Sequence, residues 1–321
     1  MADACVIGVD LGGTKLLAGT VDGALRVHHR AYRLSRPDAV VETIVEAVEE
    51  AREAARGEVR AVGVGVPCLV EPRSGVVMAC NHFGLVDVPL RDLLVERLGL
   101  PVVVDNDATA ALVAEWRYGA GRGASGVLIL TIGTGVGGGM VVDGHVARGA
   151  SGAAGELGHI VIDEAGPPCP GNCPNHGCLE AFVSGPALAR EGRARAERSP
   201  DSGLGAALAA GREITGPLVT ELAHDGDAEA REALAVLGRH LGVGVTSLVN
   251  VFNPEVVVVG GELVAAGDLL LEPARAVVAE RALIPARDQV RIVPARFGDE
   301  SGMLGAAALA FEVAGELESI G

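Results

Sequence analysis

Lysine is almost missing from this chain of 321 residues: it occurs once, at Lys15, and arginine supplies every other strong base. The phosphate loop GxxxxGK[ST] needs a Gly before its Lys and a Ser or Thr after it. Lys15 has neither, so a Walker A site is excluded. Basic residues number 26 against 42 acidic ones, and the formal net charge is −16. A nucleic-acid phosphate backbone calls for clustered Lys and Arg, so nucleic acid is not an expected partner. Aromatics make up only 2%, which leaves few platforms for stacking bases. No apolar run reaches the length of a membrane span. No secretory signal is evident, because the first apolar run, Ala4 to Val9, is short and stops at Asp10. The expected setting is the cytoplasm, away from membranes. The first strand is expected about four residues in, which leaves no room for an N-terminal helix-turn-helix. With 49% apolar residues, a chain of this length can fill two domains.

What the chain does have is a cluster of metal ligands. His159, Cys169, Cys173 and Cys178 offer one imidazole and three thiolates within twenty residues, a tetrahedral set for Zn²⁺. His176 is the alternative fourth ligand, and a metal-free loop is the plain alternative. In a cytosolic chain, clustered cysteines point to metal more than to disulfides. Cys5, Cys68 and Cys80 lie far from the cluster. Ile160, Val161 and Ile162 are expected to form a strand-like segment that holds His159. Glu156 and Glu180 flank the cluster and suit a polar, uncharged ligand such as a sugar.

The chain also repeats itself. IGVDLGGTKLLAGTVDG at 7–23 matches LILTIGTGVGGGMVVDG at 128–144 with an offset of 121. Each copy reads as strand, glycine-rich turn, strand and Asp-Gly turn, and Asp-Gly between apolar runs is a strong hairpin signal. Helices are expected over 38–56, 90–98, after Asp107 to about 118, 228–250, 268–281 and from about Ser301, with strands at 59–66, 102–104, 256–259 and 290–293. Two meanders, each followed by alternating β and α, predict an α/β protein with two sheets. The expected domains are 1–118 and 119–300, the second carrying the zinc loop 159–178, with the last helix, about 301–321, packing back on the first.

Two glycine turns stand at matched repeat positions. Gly12-Gly13-Thr14-Lys15 follows Asp10, and Gly133-Thr134-Gly135 follows the second copy's first strand. Glycine lets backbone N–H groups approach a phosphate closely, and Asp10 can hold Mg²⁺ through water. Hairpin turns that need positive φ are the alternative. Gly133 to Gly138 also fits GxGxxG, but that fingerprint must lead into a helix and here leads into strand-like Met140-Val141-Val142, which excludes a dinucleotide site. Gly260-Gly261 ends a strand and either admits an adenine ring or simply turns. Asp105-Asn106-Asp107 sits between a buried strand and a helix, at the edge where open α/β sheets bind ligands. Asp107 is expected either to cap that helix or to act as a general base toward a substrate hydroxyl.

Taken together, VDLGGTK, VDNDATAALVAEW, LTIGTGVGGGMVVDG, GELGH, CPGNCPNHGC with LE after it, and VVVVGGE resemble the ROK family of sugar kinases and repressors, and within it the bacterial glucokinases. The resemblance implies an actin-like (ribonuclease H-like) ATPase fold of two related domains around a nucleotide cleft. It implies ATP-dependent phosphorylation of the 6-hydroxyl of glucose, with Asp107 as catalytic base. N-acetylmannosamine, N-acetylglucosamine or fructose are alternative substrates, and a sugar-sensing repressor is the non-enzymatic alternative. It assigns the sugar to Asn106, Asp107, Glu156, His159 and Glu180, the nucleotide to Gly12, Gly13, Thr14, Lys15, Thr134, Gly135 and Gly261, and structural Zn²⁺ to His159, Cys169, Cys173 and Cys178; Asp10, read above as a Mg²⁺ holder, joins the nucleotide set. His159 would bind zinc with one nitrogen and a sugar hydroxyl with the other. The family suggests a homodimer or homotetramer. Three departures stand out. The cysteine loop is longer than the family's CxCGxxGC, Asp105 replaces a common Glu, and Pro67-Cys68 replaces a usual Pro-Gly, where a side chain is expected to crowd the sugar.

Overall fold

A run such as Val59–Val66, apolar at nearly every position and rich in Val, reads as a strand covered on both faces. A computed structural model, which describes residues 4–80 and 83–315, shows it so. In chain order the elements are β1 (Cys5–Leu11), β2 (Lys15–Asp22), β3 (Val27–Leu34), α1 (Val40–Glu53), β4 (Val59–Val66), β5 (Leu69–Glu71), β6 (Val76–Cys80), β7 (Leu85–Val88), α2 (Leu90–Leu98), β8 (Val102–Asn106) and α3 (Asp107–Tyr118). There follow β9 (Val127–Ile132), β10 (Val136–Val142), β11 (His145–Val146), α4 (Leu179–Phe182), α5 (Gly185–Arg198), α6 (Gly203–Ala209), α7 (Gly216–His224) and α8 (Ala228–Phe252). The chain continues through β12 (Val256–Gly260), α9 (Asp268–Arg281), α10 (Ala286–Gln289), β13 (Arg291–Pro294) and α11 (Ser301–Val313). The helix expected to run on toward 321 is seen to Val313, and residues 316–321 lie outside those described.

The repeat is visible as topology. One sheet has the order β3-β2-β1-β4-β8 and the other β11-β10-β9-β12-β13. In the first, β1 pairs antiparallel with β2 and parallel with β4, and β8 lies parallel on β4 at the sheet's edge. In the second, β12 runs parallel to both β9 and β13. This doubled five-stranded α/β pattern is the actin-like fold that the resemblance implies. A third, small antiparallel sheet, β5-β6-β7, was not expected, because its strands of three to five residues are too short to show a period.

By packing, one compact unit takes the chain up to Gly123, the stretch Gly139–Gly155 and the chain from Asp299 onward, and the other takes Ala124–Gly138 and Glu156–Gly298. These units follow contact, whereas the expected domains follow the repeat, and the two divisions assign Gly139–Gly155 differently.

In the first unit, α11 lies directly on β1, β4 and α3. Its sequence SGMLGAAALAFEV is rich in small residues, and every position from Ser301 to Phe311 is buried. A Cβ on Gly305 would stand 1.7 Å from the Ala110 carbonyl oxygen, and one on Gly63 would stand 1.8 Å from that of Ala306. Backbone meets backbone at both places, so neither neighbour can yield. Gly305→Ala is expected to lower the unfolding free energy by about 2–3 kcal/mol, read from urea denaturation. An unchanged midpoint would mean that α11 can move off the sheet freely.

In the second unit, α8 is long and apolar enough by composition to cross a bilayer. Here Leu234, Leu237, Leu241, Val245 and Val249 are buried in the protein, and Gly238 and Gly242 let α9 approach closely.

Candidate active site

In the first unit the strand-to-helix junction behaves as its residue types require. Asn106 ends β8 and caps α3, its Oδ1 accepting the Thr109 N–H at 3.0 Å. The capping role weighed for Asp107 thus falls one residue earlier. Asp107 is the first helical residue, and its Oδ1 accepts the Ala108 N–H at 2.8 Å and the Asn106 side-chain amide at 3.1 Å. These donors fix the carboxylate's orientation. The Asn106 amide also lies 3.4 Å from the Cys68 carbonyl oxygen.

Cys68 itself departs from expectation. Its side chain is buried and disulfide-bonded to Cys80, with the two Cα atoms 4.4 Å apart. The two residues, remote in sequence from the Cys/His cluster, are brought together because the chain doubles back through β5 and β6. The side chain is spent inside the core of the first unit, and only the carbonyl faces Asn106.

Asp10 stands one residue before the end of β1 with its carboxylate against Gly302, where α11 begins. Burial first, then the Asp107 carboxylate, push its pKa up to about 7, with Lys15 pulling down and Asp299 adding a smaller upward push. The unfolded chain ionises this group near 3.8. Stability associated with the protonated form is therefore fully present below about pH 4 and is lost as pH rises toward 7. Asp10→Asn is expected to stabilise the metal- and nucleotide-free protein by about 1–3 kcal/mol at pH 8 and by little at pH 4. Denaturant midpoints at the two pH values measure this, and an equal effect at both would remove the charge from the explanation.

The two glycine turns resemble each other in bonding. The Gly12 N–H donates to the Lys15 carbonyl at 2.8 Å, and the Gly133 N–H to that of Gly135 at 2.9 Å. Neither Gly133 nor Gly135 has positive φ, and a Cβ on Gly133 would meet no described atom within 4 Å. Turn conformation therefore does not account for glycine at 133, whereas close approach of a ligand would. Gly261 differs: its φ is +81°, and a Cβ would stand 2.5 Å from the Ile132 backbone, so packing alone requires it.

In the second unit, the four metal-ligand candidates converge. One ligand atom from each of His159, Cys169, Cys173 and Cys178 lies within 4.8 Å of all the others. Cys173 Sγ and Cys178 Sγ are 3.9 Å apart, and Cys169 Sγ is 3.4 Å from His159 Nδ1. A tetrahedron with Zn–S of ~2.3 Å and Zn–N of ~2.0 Å has edges of ~3.5–3.8 Å, so the donor set fits zinc. His176 is exposed and stands outside the cluster. Ile160–Ile162 do not form the expected strand. Leu157–His159 is a 3-10 turn, and a single bridge from Val161 to Cys178 ties the loop's two ends.

His159 Nε2 points the other way, 3.8 Å from Glu156 Oε2. Burial, opposed by His159 and reinforced by Glu180, pushes the Glu156 carboxyl upward, although its half-exposed side chain keeps the effect modest. Glu180, in α4 directly after Cys178, accepts the Val136 N–H at 2.7 Å and lies against Gly135. The helix that follows the cysteine loop is thereby bonded to the end of the glycine turn, a link that no sequence motif announced. Two further residues, Arg148 and Asp299, were also missed. Each acts on a carboxylate far away in sequence, and neither belongs to a recognisable pattern.

The ROK family model matches residues 6–313. The chain belongs to the ROK family. Among its ROK relatives, the glucokinase of Streptomyces coelicolor is 36% identical over 95% of this chain and 97% of its own length. A putative xylose repressor from Caldicellulosiruptor is 35% identical over 77% of this chain and 61% of its own length. Among solved structures, the ROK glucokinase of Streptomyces griseus, in complex with glucose and AMPPNP, superposes with a TM-score of 0.87 at 35% identity, covering 96% of this chain and 99% of that one.

Proposed function

We propose that this ROK protein is an ATP-dependent hexose kinase that phosphorylates the 6-hydroxyl of glucose. One observation carries the reading. A chain that matches glucokinases over nearly their whole length holds an ionisable carboxylate, Asp107, oriented by two N–H donors at a strand-to-helix junction. In the proposed reaction, Asp107 takes the proton from the hydroxyl as it attacks the terminal phosphoryl group of ATP. Placement of the base matters most here, because such transition states are loose and positioning dominates.

The hexose is assigned to Asn106, Asp107, Glu156, His159 and Glu180, a set of acceptors and donors suited to hydroxyl groups. Gly12, Gly13, Thr14 and Lys15, together with Thr134 and Gly135, hold the phosphates, and Gly261 borders the adenosine. Asp10 would hold Mg²⁺ through water, and its carboxyl ionises more fully above neutrality. Mg²⁺, when bound, neutralises phosphate charge. His159, Cys169, Cys173 and Cys178 would hold a structural Zn²⁺ that keeps Glu180 and His159 in place. The repeat supports two related domains, 1–118 and 119–300, with α11 on the first. The reading further takes the chain as a cytoplasmic homodimer or homotetramer. Its net charge of −16 speaks against nucleic acid as a partner.

A panel of hexoses with ATP tests the function. Glucose is expected to give the highest kcat/KM. A larger value with N-acetylmannosamine, N-acetylglucosamine or fructose would replace the substrate, and no ADP formation with any sugar would overturn the kinase reading.

A further inference from the structure

Behind Asn106 and Asp107 lies an ion pair that the reaction as described does not use. Asp105 is buried near the end of β8, and its Oδ2 accepts a short hydrogen bond from Arg148 Nη2. The two side chains are only 8% and 17% exposed. Its other oxygen, Oδ1, accepts the Asn106 backbone N–H at 2.9 Å. Asn106 then caps α3 and donates its side-chain amide to Asp107 Oδ1. A continuous polar chain therefore runs Arg148–Asp105–Asn106–Asp107 within the first unit.

The position of this pair gives it something to do. β8 is the edge strand of its sheet, so its backbone is held by β4 on one side only. Arg148 comes from the segment just after β11 and has a firm base of its own. Ala147 N–H bonds Met140 O at 2.9 Å, and Ala154 N–H bonds Arg148 O at 3.1 Å. Further along the same loop, Gly152 is pressed against the Val70 carbonyl and Pro72, where a Cβ would stand 2.3 Å from the carbonyl oxygen. An anchored arginine thus grips an otherwise one-sided strand end, immediately before the two residues assigned to sugar and proton. Arginine suits this better than lysine, because its planar fork fixes direction as well as charge.

We propose that Arg148 is a positioning residue for phosphoryl transfer: through Asp105 it sets the placement of Asn106 and Asp107. The inference rests on the hexose-kinase reading and deepens it. Neither residue touches substrate on this account.

The test is steady-state kinetics on the full chain, with thermal unfolding followed in parallel. Arg148→Ala is expected to lower kcat about 100-fold, the scale of a sub-ångström to 1 Å misplacement, with the KM for ATP unchanged. Millimolar guanidinium ion should restore part of the lost kcat in Arg148→Ala and none in Asp105→Asn. A residue that merely held the fold together would show no such rescue. The double variant should be no slower than the slower single one, because both break the same link. Should Arg148→Ala fail to fold, Arg148→Lys, which keeps the charge and loses the fork, should show a smaller kcat loss with the same unchanged KM for ATP. Wild-type kcat in either Arg148 variant, or additive losses without guanidinium rescue, would overturn the proposal. Failure of the kinase reading itself looks different: the unaltered chain would phosphorylate no hexose.

Discussion

Asp107→Asn is expected to lower kcat by about 10³-fold or more while leaving hexose affinity within a few-fold of the original. The substitution is nearly isosteric, and its carbonyl oxygen can still accept the Ala108 N–H and the Asn106 amide that orient Oδ1. The first turn of α3 therefore survives, helped by the Asn106 cap. What disappears is the ability to take a proton. In a loose transition state the attacking hydroxyl keeps its proton late, so the base contributes less than in acyl transfer, yet the proton must still leave. Coupled-assay kinetics beside calorimetric titration with glucose separate the two quantities. Near-normal turnover would remove Asp107 from the mechanism, and lost affinity at unchanged kcat would recast it as a sugar ligand alone.

Removal of the proposed zinc is expected to have the second large effect. In protein verified by metal analysis to be zinc-free, or in Cys178→Ser, glucose affinity is expected to fall about 100-fold or more, the scale of losing two hydrogen bonds to charged groups. Cys178 is fully buried, and Cys169 is nearly so. Burial pushes both thiols toward the protonated form. Without a cation, the cluster cannot gather its thiolates, and the loop keeps only a few backbone bonds, such as Cys169 N–H to Asn175 O, Gly177 N–H to Pro167 O and Leu179 N–H to Ile160 O. The damage should extend past the sugar. Glu180 follows Cys178 by two residues and bonds the Val136 N–H, so the Gly133–Gly135 turn loses a support and the KM for ATP should rise as well. Zinc-free protein with unchanged glucose affinity would refute the structural role. Weaker glucose binding with an unaltered KM for ATP would show that the Glu180 link carries no load.

The chain's local patterns gave away most of its elements. β4 and α2 fall where the apolar spacing puts them, and α3, α8, α9 and β12 do so to within a few residues. The duplicated strand–turn–strand announced the two matched sheet orders. Short or long-range features stayed hidden. The β5–β7 sheet has strands too short for a period to register, and its hairpin, not any Cys spacing, pairs Cys68 with Cys80. The expectation that a Cys68 side chain would crowd the sugar treated that position as free to point outward, whereas the hairpin turns it into the core. The capping role went to Asn106 and not Asp107 because a helix start is decided by where the strand releases the chain.

Residue type and order alone determined that this protein is a duplicated α/β chain with glycine turns, a Cys₃His ligand set and an Asn-Asp pair at a strand's end, since each depends on covalent neighbours or on a repeat along the chain. Only the tertiary structure decided that Arg148 meets Asp105 and that Asp10 is pressed against Gly302 beneath the influence of Asp299. It also decided that Glu180 reaches the Gly133–Gly135 turn. Those contacts join residues from about forty to nearly three hundred positions apart, and no local preference encodes them. They arise from how sheets and helices stack, which is fixed by burial of the whole apolar set at once.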